Sequence, residues 1–179
     1  MRHFAVSTIG RDRPGIVAAV SEALLEHEAN IEDSEMTILG GHFTITLIVS
    51  APAETDPAAF AASLEEVGRR LDLEAVSVSE VAELEGARAL PSHILSVYGI
   101  DHPGIVHAVS STLAEHGASI TDLTTRVLPG EGDAPIYTLM LEVTVPSDMD
   151  PELLEQHLLR VASEQAVEVS FRQLERDSL

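Results

Sequence analysis

Two short segments carry the residue types best suited to chemistry. Asp12-Arg13-Pro14-Gly15 and Asp101-His102-Pro103-Gly104 each follow a glycine, Gly10 or Gly99, and each precede an apolar run with helical spacing. Backbone N–H groups at the start of a helix lack intrahelical acceptors, and the helix dipole places partial positive charge there. Such a turn suits an anion, for example an α-carboxylate. Gly15 and Gly104 put no side chain between a ligand and that backbone. Asp12 and Asp101 suit an ammonium group. Arg13 offers a fixed positive charge where the second segment has His102, which is mostly neutral near pH 7. Together these groups fit an amino acid. The competing reading is structural, because Asp-x-Pro-Gly is also a good turn and helix start.

Other chemistry is thin. Eight histidines (3, 27, 42, 93, 102, 107, 116 and 157) form no i,i+4 pair and no His-x-His, so no metal site is expected. The absence of cysteine removes disulfides, thiolate ligands and cysteine nucleophiles together. His27 and His116 occupy equivalent places near the end of a helix, where capping is the better reading. Gly130-Glu131-Gly132 is far from a phosphate-binding loop. Glu65-Glu66 and the Asp148/Asp150 pair read as solvated helix faces or starts. No nucleophile–base constellation emerges, and neither an enzyme nor a cofactor is expected.

The two segments belong to a longer repeat. Ser7–Asp33 and Ser96–Asp122, 89 positions apart, share 16 identities over 27 residues without a gap. A period near 90 residues is too long for a solenoid unit but suits one small domain. A chain of 179 residues therefore reads as a duplication, with a first domain at 1–83, a linker at 84–91 and a second domain at 92–179. Aromatics are only 3% of the chain, so both cores must be aliphatic. Ten arginines, no lysine and 30 acidic residues give a net charge of −20. A field of that sign repels phosphate backbones, so direct nucleic-acid binding is not expected. No apolar leader and no run of about 18 apolar residues is present, which predicts a cytoplasmic protein with no membrane partner.

Periodicity supplies the elements that must position the turns. His3–Ile9 and His93–Tyr98 read as strands ending at Gly10 and Gly99. Ile16, Val17, Val20 and Leu24, matched by Ile105, Val106, Val109 and Leu113, recur at helical spacing. Pro14 and Pro103 are placed at the first helical position. Ile31–Leu39 and Ile120–Leu128 read as second strands. Third strands follow at Phe43–Val49 and Tyr137–Val145, reached through the tight pair Gly40-Gly41 or through the longer 129–135 connection. Second helices begin at Asp56-Pro57 and Asp150-Pro151, with buried stripes of Phe60, Leu64, Val67 and Leu71, and of Leu154, Leu158 and Val161. Last strands occupy Glu74–Val81 and Val167–Leu174. Each half is thus β-α-β-β-α-β. That order predicts an α+β fold of two ferredoxin-like domains, each a four-stranded antiparallel sheet with both helices on one face. The bare sheet faces are partly apolar, which predicts pairing of domains and a homodimer.

Asp12-Arg13-Pro14-Gly15-Ile16-Val17 followed by Glu26-His27-Glu28-Ala29-Asn30-Ile31 resembles the ACT domain, a small ligand-binding regulatory module. So does Asp101-His102-Pro103-Gly104-Ile105-Val106 followed by Glu115-His116-Gly117-Ala118-Ser119-Ile120. The resemblance covers nearly the whole chain, element by element. It implies that a ligand, usually an amino acid, lies between the first turn and a neighbouring domain. The implied binding residues in the first half are Gly10, Arg11, Asp12, Arg13, Pro14, Gly15, Ile16, Asn30 and Ile31. In the second they are Gly99, Asp101, His102, Pro103, Gly104, Ile105, Ser119 and Ile120. Some amino-acid-binding members have a histidine two residues before the acidic position, where this chain has Gly10 and Gly99. The first copy is the favoured one, because Asn30 offers a donor and an acceptor while Ser119 has a shorter reach.

Three functions follow from this reading. The leading one is a non-catalytic regulator that senses a small metabolite, an amino acid, and signals to a protein partner. The second is an interaction or scaffold module with vestigial pockets. The third is an enzyme or its detached regulatory half, against which stands a chain ending at Leu179 just after the eighth strand, an end expected to leave no room for a catalytic domain.

Overall fold

The computed structural model describes residues 1–81, 90–129 and 135–174. In the first half the elements are β1 (Arg2–Arg11), α1 (Ile16–Glu26), β2 (Asn30–Leu39), β3 (His42–Ala51), α2 (Pro57–Arg70) and β4 (Ala75–Val81). In the second they are β5 (His93–Ile100), α3 (Ile105–Glu115), β6 (Ser119–Leu128), β7 (Ile136–Thr144), α4 (Pro151–Glu164) and β8 (Val167–Gln173). The chain falls into two units, Met1–Gly86 and Ala87–Leu179. Most of the expected linker at 84–91 lies outside the described residues, as do 130–134 of the second connection.

Each unit is a four-stranded antiparallel sheet, ordered β2-β3-β1-β4 and β6-β7-β5-β8. Alternation explains the burial. Phe4, Val6, Thr8 and Gly10 of β1, with Phe43, Ile45, Leu47 and Val49 of β3, face the helices and are buried. Residues between them form the other face, where Ile9 is exposed; its counterparts Tyr98, Ile100 and Met140 in the second unit are exposed too. The α1 helix buries Ile16, Ala19, Val20, Ala23 and Leu24, which recur at the spacing of a single helical face. The edge strands β2 and β6 are largely exposed, and each carries a bulge at the same place, between Ile31 and Asp33 or between Ile120 and Asp122.

Several local expectations change. Strands β1 and β5 do not stop at their glycines: Gly10 pairs with Phe43 and Arg11 with His42, and β5 continues likewise to Ile100. Pro14 and Pro103 precede the helices rather than opening them, because Gly15 (φ 96°) and Gly104 (φ 109°) take the N-cap in the left-handed conformation. Proline does open α2 and α4, behind the capping carboxylates of Asp56 and Asp150, which accept from the N–H of Ala58 (3.1 Å) and of Glu152 (3.0 Å). On α4 the third buried residue is Ala162, not Val161, since 154, 158 and 162 keep to one stripe. Gly40 (φ 59°) and Gly41 (φ 82°) supply the two positive φ values of a two-residue hairpin turn.

Candidate functional site

The two site loops are built alike. Each runs from the end of the first strand to a glycine cap. The Asp12 N–H donates to the Gly41 carbonyl at 3.0 Å, so the first loop is tied to the hairpin turn beside it. Asp101 makes the same bond to Pro135 at 3.0 Å. The first helical bonds follow, from Ala19 to Gly15 (3.0 Å) and from Ala108 to Gly104 (2.9 Å). The contrast with the second helices matters. No side chain caps α1 or α3, and neither has an acidic residue in its first turn. Their leading N–H groups and positive dipole ends therefore remain available to an anion.

Asp12, Arg13, Pro14, Gly15, Asp101, Pro103 and Gly104 are exposed on these loops, as is Arg11 at the end of β1. Ile16 and Ile105 are each only 2% exposed, so they can offer a ligand their backbone alone. Gly10 and Gly99 answer a packing demand. A Cβ at Gly10 would lie 2.9 Å from Leu73 Cδ2, and one at Gly99 would lie 2.7 Å from Val167 Cγ1. Neither position has room for the histidine that some amino-acid-binding relatives carry.

The charged groups of the two loops differ more than their sequences suggest. Among the described residues no hydrogen bond or ion pair holds Arg13, which is exposed. His102 is clamped: its Nδ1 meets the Pro103 carbonyl at 3.1 Å and its Nε2 meets the Gln165 carbonyl at 2.8 Å. Carbonyls only accept, so satisfying both requires a proton on each nitrogen, the imidazolium form. The Gln165 bond foremost, then that of Pro103, raises the His102 pKa above its ordinary 6.5. Gln165 is the C-cap of α4, where a cation also suits the helix dipole. The second loop thus favours a positive charge more than the residue type alone reveals.

The second loop opens into a concavity of about 600 Å³ lined by Asp101, His102, Pro103, Gly104, Val106 and Tyr137, among others. Tyr137 was not among the site residues read from sequence. It enters because it stands opposite Gly99 in the β5–β7 register, a neighbour invisible in the linear order. Burial foremost raises its phenol above the ordinary 10.0.

Asn30 and Ser119 are not brought to the loops of their own units. Asn30 pairs with Ser50, which pairs with His3 at the far end of β1, whereas the loop adjoins the pairing of Gly10 with Phe43. Ser50 is seven positions from Phe43, about 23 Å at roughly 3.3 Å per residue. Ser119 stands equally far from Tyr137, opposite Thr144. Ile31 and Ile120, 41% and 37% exposed, share those distant ends.

No group of three or more histidine, aspartate or glutamate side chains able to hold a metal is found among the described residues. Nor is any helix among them long and apolar enough to cross a membrane.

Comparison with known proteins agrees with this geometry. The family model for the ACT domain matches residues 2–78 and again 93–172. The glycine cleavage system transcriptional repressor of Escherichia coli is 26% identical over 167 residues, which is 91% of this chain and 86% of the repressor. A phosphoserine phosphatase of Mycobacterium tuberculosis is 29% identical over 172 residues, 92% of this chain but only 39% of the phosphatase. A crystal structure of a protein from Galdieria sulphuraria superposes with a TM-score of 0.80 at 31% identity, covering 97% of this chain and 99% of that one. The chain belongs to the ACT domain family and carries two ACT domains in tandem, related to those of the glycine cleavage repressor.

Proposed function

We propose that this protein is a non-catalytic cytoplasmic regulator that binds an amino acid at its strand–helix turns and passes the occupancy to a protein partner. The observation that carries the reading is the capping contrast. The second helix of each unit has its first turn closed by an aspartate, whereas the first helix of each is left open behind a glycine, with an exposed acidic residue three positions earlier. Open N–H groups suit the carboxylate, and Asp12 or Asp101 suits the ammonium group. Likeness to the glycine cleavage repressor supports a role in transcriptional control. The net charge of −20 favours a DNA-binding partner over direct contact with nucleic acid.

Two observations favour other readings. No unit brings Asn30 or Ser119 to its own loop, so any site using them must be completed from outside the unit that carries the loop. This supports an interaction module with vestigial pockets. Partial likeness to a phosphatase supports a detached regulatory subunit of an enzyme of amino-acid metabolism. Thermal shift of the full chain against the twenty amino acids separates ligand sensing from the interaction module. A ligand at 100 times its dissociation constant adds about 2.7 kcal/mol. Loss of that shift in Asp12→Ala or Asp101→Ala, with circular dichroism unchanged, assigns the loop. No shift with any amino acid supports the interaction module.

A further inference from the structure

The second unit brings together two histidines that the sequence keeps 41 positions apart. His116 is the C-cap of α3, and His157 lies in the middle of α4. Both are half-buried, with ring centroids 4.6 Å apart. The His116 Nε2 and His157 Nδ1 atoms face each other at 2.5 Å. Neither ring belongs to the loops described above.

The protonation pattern of the pair is fixed by its surroundings. The His116 Nδ1 lies 2.8 Å from the Thr112 carbonyl. A carbonyl only accepts, so Nδ1 carries the proton, and in the neutral ring Nε2 is left with a lone pair aimed at His157. A backbone carbonyl that takes one ring N–H and points the opposite nitrogen outward is the usual outer partner of a metal-bound histidine. The carboxyl end of α3 adds partial negative charge beside the pair, which favours a cation.

We propose that His116 Nε2 and His157 Nδ1 form a two-histidine site for a divalent transition-metal ion such as Zn²⁺. Bonds of about 2.0–2.1 Å in a tetrahedral shell place two ligand nitrogens about 3.3 Å apart. Seating the ion thus requires the rings to part by less than an ångström, a small side-chain rotation at a half-exposed site. Coordination through His157 Nδ1 moves that ring's proton to its own Nε2, with no net release from the neutral pair. In acid the ion must instead displace ring protons, so protons compete with metal. With no third histidine or carboxylate in reach among the described residues, water or a free ligand fills the remaining positions. The site is open and exchangeable rather than structural.

The first unit supplies a natural comparison. Its α2 aligns with α4 through Pro57 and Pro151, which puts Ser63 where His157 stands. Among the described residues His27 has no imidazole partner and instead stands edge-to-face with Phe60, with centroids 5.2 Å apart. The variant His157→Ser therefore reproduces an arrangement this fold already tolerates.

The test uses the full chain, first stripped with a chelator, then titrated with Zn²⁺ at pH 7.5 in a non-coordinating buffer. Calorimetry gives stoichiometry, and ring ¹⁵N NMR identifies the responding histidines. The expected result is one ion per chain, with His116 Nε2 and His157 Nδ1 shifting at the lowest metal concentrations. Affinity should fall at least tenfold in His157→Ser and in His116→Gln, and weaken as pH drops from 7.5 to 6. Unchanged affinity in a folded His157→Ser variant overturns the proposal. So does a first response from any other histidine, or no binding at millimolar Zn²⁺.

Discussion

The Thr8 hydroxyl allows a direct test of the packing argument. Thr8 is 2% exposed on the helix-facing side of β1, and its Oγ1 has no hydrogen-bond partner among the described residues. The repeat places Val97 at the same position of the second unit, where it too is 2% exposed. Threonine and valine share β-branching and a similar shape, so Thr8→Val exchanges the hydroxyl for a slightly larger methyl group while strand preference is kept. An unsatisfied buried hydroxyl costs about 1–3 kcal/mol, and the variant should be more stable by that amount. In a unit of this size, each kcal/mol moves the melting temperature by about 4–8 °C. Urea unfolding followed by circular dichroism reads the gain as a higher midpoint at constant slope. Both tyrosines, Tyr98 and Tyr137, lie in the second unit, so their fluorescence follows that unit and provides an internal control. The reciprocal change, Val97→Thr, should lower the tyrosine-reported midpoint by a similar free energy. A Thr8→Val midpoint that stays put or falls, at constant slope, would show that the hydroxyl is satisfied, by water for instance, and refute the reasoning.

Three further outcomes are expected. Gly99→Ala should destabilise the second unit by about 1–3 kcal/mol, read by tyrosine fluorescence, because the new Cβ meets not only the Val167 side chain but also its Cα at 3.2 Å. Burial holds the His93 pKa below its ordinary 6.5, so the unfolded chain binds more protons as pH falls from that value. Stability should drop on acidification through this window, and His93→Phe, which copies Phe4 of the first unit, should flatten the decline. His102 has the opposite sign: its pKa is raised, so its contribution is present below 6.5 and fades as pH rises through the folded value, an alkaline slope that His102→Gln should remove. Light scattering should report a homodimer that hides part of the apolar bare faces, around Ile9 in the first unit or around Tyr98, Ile100 and Met140 in the second; a strict monomer at micromolar concentration would remove the dimer.

The elements were legible because their signals are local. Period-two runs such as Phe43, Ile45, Leu47 and Val49, and Asp-Pro pairs at the second helices, need no knowledge of distant residues. The loops were legible as loops for the same reason. What the sequence left unstated was conformational or non-local. Pro14 looks like a helix start until Gly15 is seen to take the left-handed cap. Asn30 is close to the loop along the chain yet lies at the opposite end of the sheet, because α1 carries the chain the length of the unit before β2 begins. The raised His102 pKa depends on a carbonyl 63 residues away, and the His116–His157 pair on two helices joined by two strands.

The two-glycine turn between β2 and β3 has a consequence for how this duplicated chain reaches its native state. Gly40-Gly41 closes the first hairpin through two residues, whereas seven residues separate β6 from β7. Loop-closure entropy grows with the logarithm of length, so the second hairpin starts about 1 kcal/mol behind the first, roughly a fivefold difference in closing probability. During synthesis the first half also emerges earlier. Its β2–β3 pair can thus register before the near-copy of α1 and β2 exists to compete for it. A chain whose two halves share 16 of 27 residues through this region risks pairing a strand with the wrong repeat. Early closure of the first hairpin lowers that risk, and exchanging the two connections should raise the fraction of misassembled or swapped chains on refolding.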